Sequence, residues 1–210
     1  MLYLVGLSQV IDFIENLKFE KESIDYLKSL NKFSYEFLKY LETFKFTGDI
    51  WAVPEGTVLF PQEPIIIVRA PIIEAQLIET ILLTIINHQS LIATKASRMV
   101  LASEGKPVSE FGARRAHNID AAVYGARAAY IGGVVGTSCM LAASEFNIPP
   151  VGTMAHSWIQ SFDSEYEAFK EYAKTYLGNT ILLVDTYNTL ESGIPNAIKV
   201  FNEVLVPARF

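Results

Sequence analysis

Two short stretches combine side chains able to bind and transform a charged small molecule: Glu110-Phe111-Gly112-Ala113-Arg114-Arg115-Ala116 and Gly152-Thr153-Met154-Ala155-His156-Ser157-Trp158. In each, a strand-like pattern gives way to a loop or helix, the usual place for chemistry in an α/β fold. Arg114 and Arg115 stand at the expected start of a helix. Cations there oppose the helix dipole, whereas a bound carboxylate or phosphate reverses that balance, because guanidinium holds such anions through paired hydrogen bonds. The plain alternative is a surface arginine paired with Glu110 or Asp120. His156 can serve as a base, as a nucleophile toward phosphate, or as a hydrogen-bonded neighbour of Thr153. Asp185 closes the run Ile181-Leu182-Leu183-Val184. It can meet a ribose hydroxyl or a magnesium ion, or it can cap the turn through Thr186. Phe111 reads as core or as a stacking platform beside an arginine. His88, within a long apolar stretch, reads as a satisfied core residue, and His117 as facing solvent or phosphate. No zinc-ligand spacing, Walker loop, nucleophile elbow or dinucleotide glycine fingerprint is present.

The elements that must position these groups follow from periodicity. Val10, Ile11, Phe13, Ile14 and Leu17 follow helical spacing after Ser8, a candidate cap. Ile24, Leu27 and Leu30 repeat it, as do Phe37, Leu38 and Leu41 after Ser34. Residues 46–53, 57–60 and 65–68 are short β-rich runs broken by Pro54-Glu55-Gly56 and by the prolines at 61 and 64, and predict a small β layer. One long helix is expected over 74–102, ended by Gly105 and Pro107. The apolar stretch 72–86 falls short of the ~20 residues of a membrane span. It holds Glu74, Gln76 and Glu79, so a buried helix is expected there.

Further on, the pattern predicts a strand at 108–111, an Ala-rich helix over 114–130 stopped by Gly132-Gly133, and a helix to Phe146 capped by Thr137 or Ser138. Gly125 permits close packing of the Ala-rich helix on a sheet. A strand at 150–154, a capping box at Ser164-Glu165-Tyr166-Glu167, a buried strand at 180–184 and a last helix with Pro195 in its first turn complete it. Strand, polar turn and helix in alternation mean parallel βαβ units with right-handed crossovers. A closed eight-stranded barrel takes about 250 residues, so an incomplete one is expected. The division expected is 1–102, helical with a β layer, and 103–210, the α/β part.

Half of the residues are hydrophobic and 19% charged, which excludes disorder. A net charge of −6 argues against a nucleic-acid surface, which needs a basic face. The single cysteine, Cys139, excludes an internal disulfide and suits a reducing compartment. It reads as an inert buried thiol. No secretory signal is read at the N-terminus, where Asp12 and Glu15 interrupt the apolar residues. A cytoplasmic protein without membrane or nucleic-acid partners is expected.

Taken in order, FTGDIWAVPEGTVLFPQEP, ETILLTIINHQSLIATKASR, EFGARRAH, GTSCMLAA, GTMAHSW and DTYNTLESGIPNAI resemble nicotinate phosphoribosyltransferase. The resemblance implies a two-domain α/β fold: an irregular barrel with a smaller helical and β-layer domain. It implies a reaction of NAD biosynthesis, in which nicotinate and phosphoribosyl pyrophosphate give nicotinate mononucleotide and pyrophosphate, coupled to hydrolysis of ATP, with Mg2+. By the same resemblance His156 is the transiently phosphorylated histidine, and Asp185 an acid near the ribose. Phe111 stacks on the ring and Arg114 lies close to base and phosphates. Thr153, in the histidine's own block, helps hold nicotinate, and Ser138 and Ser157 are further substrate contacts. Arg114, His156 and Asp185 are then expected to face one nucleotide-sized molecule.

Against the family pattern, an N-terminal aromatic-rich segment, a second arginine and phosphate-binding glycine turns have no counterpart, and Asn188 stands where aspartate is usual. Cys139 replaces a residue that is often polar. The ending from Val204 to Phe210 departs from the pattern, and Pro207 would stop the last helix. The resemblance is therefore to a truncated member, acting as a homodimer or with a chain that supplies the other barrel half. The alternative is a non-catalytic remnant or companion chain lacking the complete phosphate site.

Overall fold

The computed structural model describes residues 1–205 of the chain. A two-residue strand, β1 (Leu2–Tyr3), precedes three helices, α1 (Leu7–Glu15), α2 (Lys21–Ser29) and α3 (Tyr35–Glu42), as the spacing predicts. Ser34 caps α3, its Oγ accepting the Phe37 N–H at 3.2 Å. Ser8 is no cap. The boundary residue of α1 is Gly6, at a φ of 110° that glycine adopts without steric cost, and Ser8 lies inside the helix.

The β layer is two small antiparallel sheets. β2 (Asp49–Ala52) pairs with β4 (Ile66–Arg69), Trp51 facing Ile67, and β3 (Val58–Leu59) pairs with β1. Then comes α4 (Ile72–Ala102), 31 residues long and apolar enough by length and composition to cross a membrane. It serves instead as a core helix, because the polar groups on its buried face are taken up by neighbouring chain. Ser90 Oγ bonds both the N–H and the carbonyl of Val5 at 3.0 and 3.1 Å, and Thr94 Oγ1 accepts the Tyr3 N–H at 2.9 Å. The buried Glu74 accepts the Thr47 N–H at 2.6 Å. Glu104 and Gly105, both at positive φ, end the helix before Pro107.

β5 (Ser109–Glu110) leads into a 3-10 turn (Ala113–Arg115), then α5 (Ile119–Ile131), β6 (Gly136–Thr137) and α6 (Met140–Phe146). β5 and β6 are parallel, with Glu110 opposite Thr137, and Thr137 makes one further parallel bridge to Pro150. The strand expected at 150–154 reduces to that bridge. The Ala-rich helix starts at Ile119 rather than at Arg114, because Asn118 Oδ1 accepts the Ala121 N–H at 2.8 Å and sets the boundary. Gly125 is buried against a helix, not a sheet: a Cβ there would lie 3.2 Å from Ile92 Cδ1 of α4. Gly132 and Gly133 stop α5 as expected.

Contacts gather the chain into two compact units, Met1–Val151 and a second beginning at Gly152. In the second, α7 (His156–Gln160), α8 (Glu165–Thr175) and α9 (Ile194–Val200) surround Met154, Ile159, Ala168, Phe169 and Val200. Ser164 caps α8 through the Glu167 N–H at 3.2 Å, one half of the expected capping box, and Pro195 sits in the first turn of α9 as expected. Residues 180–184 form no strand. They pair with nothing among the described residues, Ile181 is half exposed, and Leu182, Leu183 and Val184 are only partly buried on the core. An apolar run specifies burial, whereas a strand needs a neighbour to complete its ladder. The helix stop expected at Pro207 lies outside the described residues.

One ion pair joins most of the first unit. Glu55, between β2 and β3, accepts from Arg127 of α5 through both carboxylate oxygens, at 2.7 and 3.1 Å, and from the Gly6 N–H at 2.6 Å. Both side chains are largely buried, at 20% and 17% exposure. Burial alone would raise the Glu55 carboxyl, but the bonds from Arg127 and Gly6 outweigh it and hold the group below its ordinary value. A carboxylate depressed in the folded state contributes stability above its unfolded value and loses it as pH falls through the folded one. Glu55→Gln should therefore cost about 2–4 kcal/mol at neutral pH by urea unfolding. It should also flatten the loss of stability as pH falls through and below the ordinary glutamate range. A variant with the parent's stability and acid slope would contradict this role.

Candidate functional site

The loop bearing Phe111 and Arg114 is shaped by the carboxylate just before it. Glu110 Oε2 accepts the hydroxyl of Thr137 at 2.5 Å, and its Oε1 accepts the Gly112 N–H, which turns the chain sharply after β5. Thr137 is fully buried and its Oγ1 accepts the Cys139 N–H at 3.0 Å. α6 thus starts after Cys139, and neither Thr137 nor Ser138 caps it through its side chain. Ser138 is half-buried, its N–H bonded to the Glu110 carbonyl at 3.0 Å. Phe111 is 45% exposed, which sets aside the core reading. Arg114 is exposed and makes no ion pair with Glu110, Asp120 or any other described residue. It lies in the 3-10 turn, so the opposition to a helix dipole expected of it does not arise.

Between α4, this turn and α5 lies an open cleft of about 450 Å³ whose polar lining includes His88, Glu110, Arg115 and His117. His117, left open by the sequence, faces this cleft. His88 is part-buried and satisfied, with Nε2 at 3.2 Å from the Ala121 carbonyl. Cys139 packs beside Val123, Ala126 and Ala142.

In the second unit His156 opens α7 and meets two neighbours from a distant stretch. Its Nδ1 is 3.1 Å from Thr186 Oγ1, and its Nε2 is 3.9 Å from Asp185 Oδ1. The His156 and Asp185 side chains are 53% and 61% exposed, so the ring is oriented yet open to a ligand. A hydroxyl on one ring nitrogen fixes the plane of the imidazole, and a carboxylate beside the other offsets positive charge. Such a ring can attack an electrophilic phosphorus or take a proton.

Of the three groups expected to face one ligand, His156 and Asp185 are neighbours, while Arg114 belongs to the first unit. Thr153 is exposed and donates to the Met154 carbonyl at 3.1 Å rather than to His156, and Ser157 is exposed. The turn after Asp185 is capped by Asn188, whose Oδ1 accepts the Leu190 and Glu191 N–H groups at 3.1 Å. The contact of Thr186 with the ring is not legible in the sequence, where its one signal is adjacency to Asp185. Among the described residues no three His, Cys, Asp or Glu side chains gather to hold a metal ion.

Two family models match successive parts of the chain: the nicotinate phosphoribosyltransferase (NAPRTase) N-terminal domain over residues 1–87, and the nicotinate phosphoribosyltransferase (NAPRTase) family over residues 107–196. Over 195 residues the chain is 52% identical to nicotinate phosphoribosyltransferase pncB2 of Mycobacterium tuberculosis, covering 93% of this chain and 42% of the relative. Over 198 residues it is 48% identical to nicotinate phosphoribosyltransferase of Bacillus subtilis, covering 94% and 40%. The crystal structure of human nicotinic acid phosphoribosyltransferase superposes with a TM-score of 0.89 at 26% identity, over 97% of this chain and 51% of that one. The chain belongs to the nicotinate phosphoribosyltransferase family. It spans about two fifths of the length of these curated relatives.

Replacing Glu110 by Ala removes the acceptor of the Gly112 N–H. Hydrogen exchange at that amide should speed up about tenfold, as expected for one lost bond. An unchanged rate would show that the turn holds without the carboxylate.

Proposed function

We propose that this chain carries the base-binding and phosphohistidine portion of a nicotinate phosphoribosyltransferase of NAD biosynthesis. Nicotinate displaces pyrophosphate at the anomeric carbon of phosphoribosyl pyrophosphate, forming the ring nitrogen–carbon bond of nicotinate mononucleotide. Positive charge grows on the sugar and negative charge on the leaving pyrophosphate. Phe111 stacks on the pyridine ring, Arg114 meets the anionic groups, and Ser138, Thr153 and Ser157 are further substrate contacts. Asp185 is the side chain that would meet the ribose or Mg2+, an ion that would supply neutralisation of the charge on the leaving pyrophosphate.

His156 takes the terminal phosphoryl group of ATP, releasing ADP, and water later removes it as phosphate. Asp185 offsets the positive charge that develops on the imidazole during attack. The observation that carries this reading is the orientation of His156 by Thr186 and Asp185 within the stretch matched by the family model. A division near residue 102, an irregular α/β barrel, a homodimer or partner chain, and a cytoplasmic location belong to the same reading.

The second reading, a non-catalytic companion chain, differs in expecting no nicotinate mononucleotide from the purified chain. Calorimetric titration with nicotinate tests the base site. Binding is expected, and Phe111→Ala should weaken it about tenfold, the loss of one stacking contact. Absence of binding to the parent chain would remove the base-binding role. Nicotinate mononucleotide formed by the purified chain alone, given all substrates and Mg2+, would reject the companion reading.

A further inference from the structure

A buried carboxylate is bonded to the segment that follows the two neighbours of His156. Glu165, the first residue of α8, is 4% exposed. Its Oε2 accepts Ser192 Oγ at 2.5 Å and Asn196 Nδ2 at 3.2 Å, while its Oε1 is buried without a hydrogen-bond partner among the described residues. Leaving a carboxylate oxygen desolvated and unpaired is unfavourable, and a residue that served only to fill space would not incur that cost.

What Glu165 holds is the base of the arm that carries both neighbours of His156. Ser192 lies in the wide turn Thr189–Gly193, where the Asn188 carbonyl accepts the Ser192 and Gly193 N–H groups at 3.0 and 2.9 Å. Gly193 is pressed on the backbone at the other end of the arm. A Cβ there would fall 1.8 Å from the Val184 carbonyl oxygen, so no other residue fits without moving that backbone. Asp185, Thr186 and Tyr187 therefore project from a closed base, Val184 against Gly193, and Ser192 in that base is tied to α8 by Glu165. Thr186 then meets His156 Nδ1, and Asp185 faces Nε2.

We infer that Glu165 is a positioning residue for His156, acting through Ser192 on the arm that presents Thr186 and Asp185 to the ring. Its significance for phosphoryl transfer rests on the reading of His156 given above, but the geometry does not.

The test uses the full chain with ¹⁵N-labelled histidine and long-range ¹H–¹⁵N spectra, which report the ring tautomer and the hydrogen bond at Nδ1. In the parent chain one His156 tautomer should dominate. Glu165→Ala and Ser192→Ala should each shift the His156 ring signals toward those of Thr186→Val, leaving His88 and His117 unmoved. Glu165→Gln, whose amide oxygen still accepts from Ser192, should restore the parent spectrum. If Glu165→Ala does not fold, Ser192→Ala decides, since it deletes the same bond and leaves Asn196 on the carboxylate. Folded Ser192→Ala with parent-like His156 signals would overturn the inference. A parent His156 that ATP never phosphorylates would instead overturn the functional reading and leave this inference standing.

Discussion

A charged pair removed from water must be satisfied on every side, and in the first unit that requirement falls on Glu55 and Arg127. Glu55 draws in the Gly6 N–H at the start of α1, and Arg127 reaches Gln89 of α4 at 3.4 Å and lies 5.5 Å over the ring of Phe146 from α6. Gln89 in turn donates to Gln9 of α1 at 2.7 Å. The N-terminal segment, the β-layer turn, α4, α5 and α6 must all be in place for neither charge to be orphaned. That constraint sets α5 against α4, where buried glycine and alanine allow close approach. It thereby fixes the two ends of the crossover that joins β5 to β6.

Buried or half-buried carboxylates also hold the two loops that bear the candidate site residues. The strands here are two to four residues long, too short to define loop geometry by ladder bonds alone. Carboxylates do it instead: Glu110 gathers a hydroxyl from β6 and a backbone N–H to shape the loop of Phe111 and Arg114, and Glu165 gathers Ser192 and Asn196 beneath the arm of Asp185 and Thr186. Each is an acceptor fed by short, stiff donors, so it restrains position more tightly than a long flexible ion pair would. Phe111, Arg114 and Asp185 are left exposed while the chain that carries them is fixed from behind.

Much of this was legible in the residues. Helical spacing with caps at Ser34 and Ser164, and glycine stops after α4 and α5, located the helices because those signals are local. The start of α5 is not legible, because alanines at 113 and 116 continue the helical composition across the boundary that Asn118 sets. Residues 180–184 show the limit of apolar pattern, since being a strand depends on a neighbour that the run itself does not encode. At the site, residue type pointed to His156 and Asp185, which stand together. The link from Thr186 to the ring spans 30 residues, and Glu165 was hidden inside a local capping signal while its bonds reach α9 and the turn before it.

The most direct measurement is the fate of the terminal phosphate of ATP. The chain would be incubated with γ-labelled ATP and Mg2+, digested at alkaline pH and mapped. The expected result is acid-labile label on the peptide containing His156 and none in His156→Ala. Label that survives that substitution, or that resists acid, would contradict the assignment of the histidine and with it the proposed reaction.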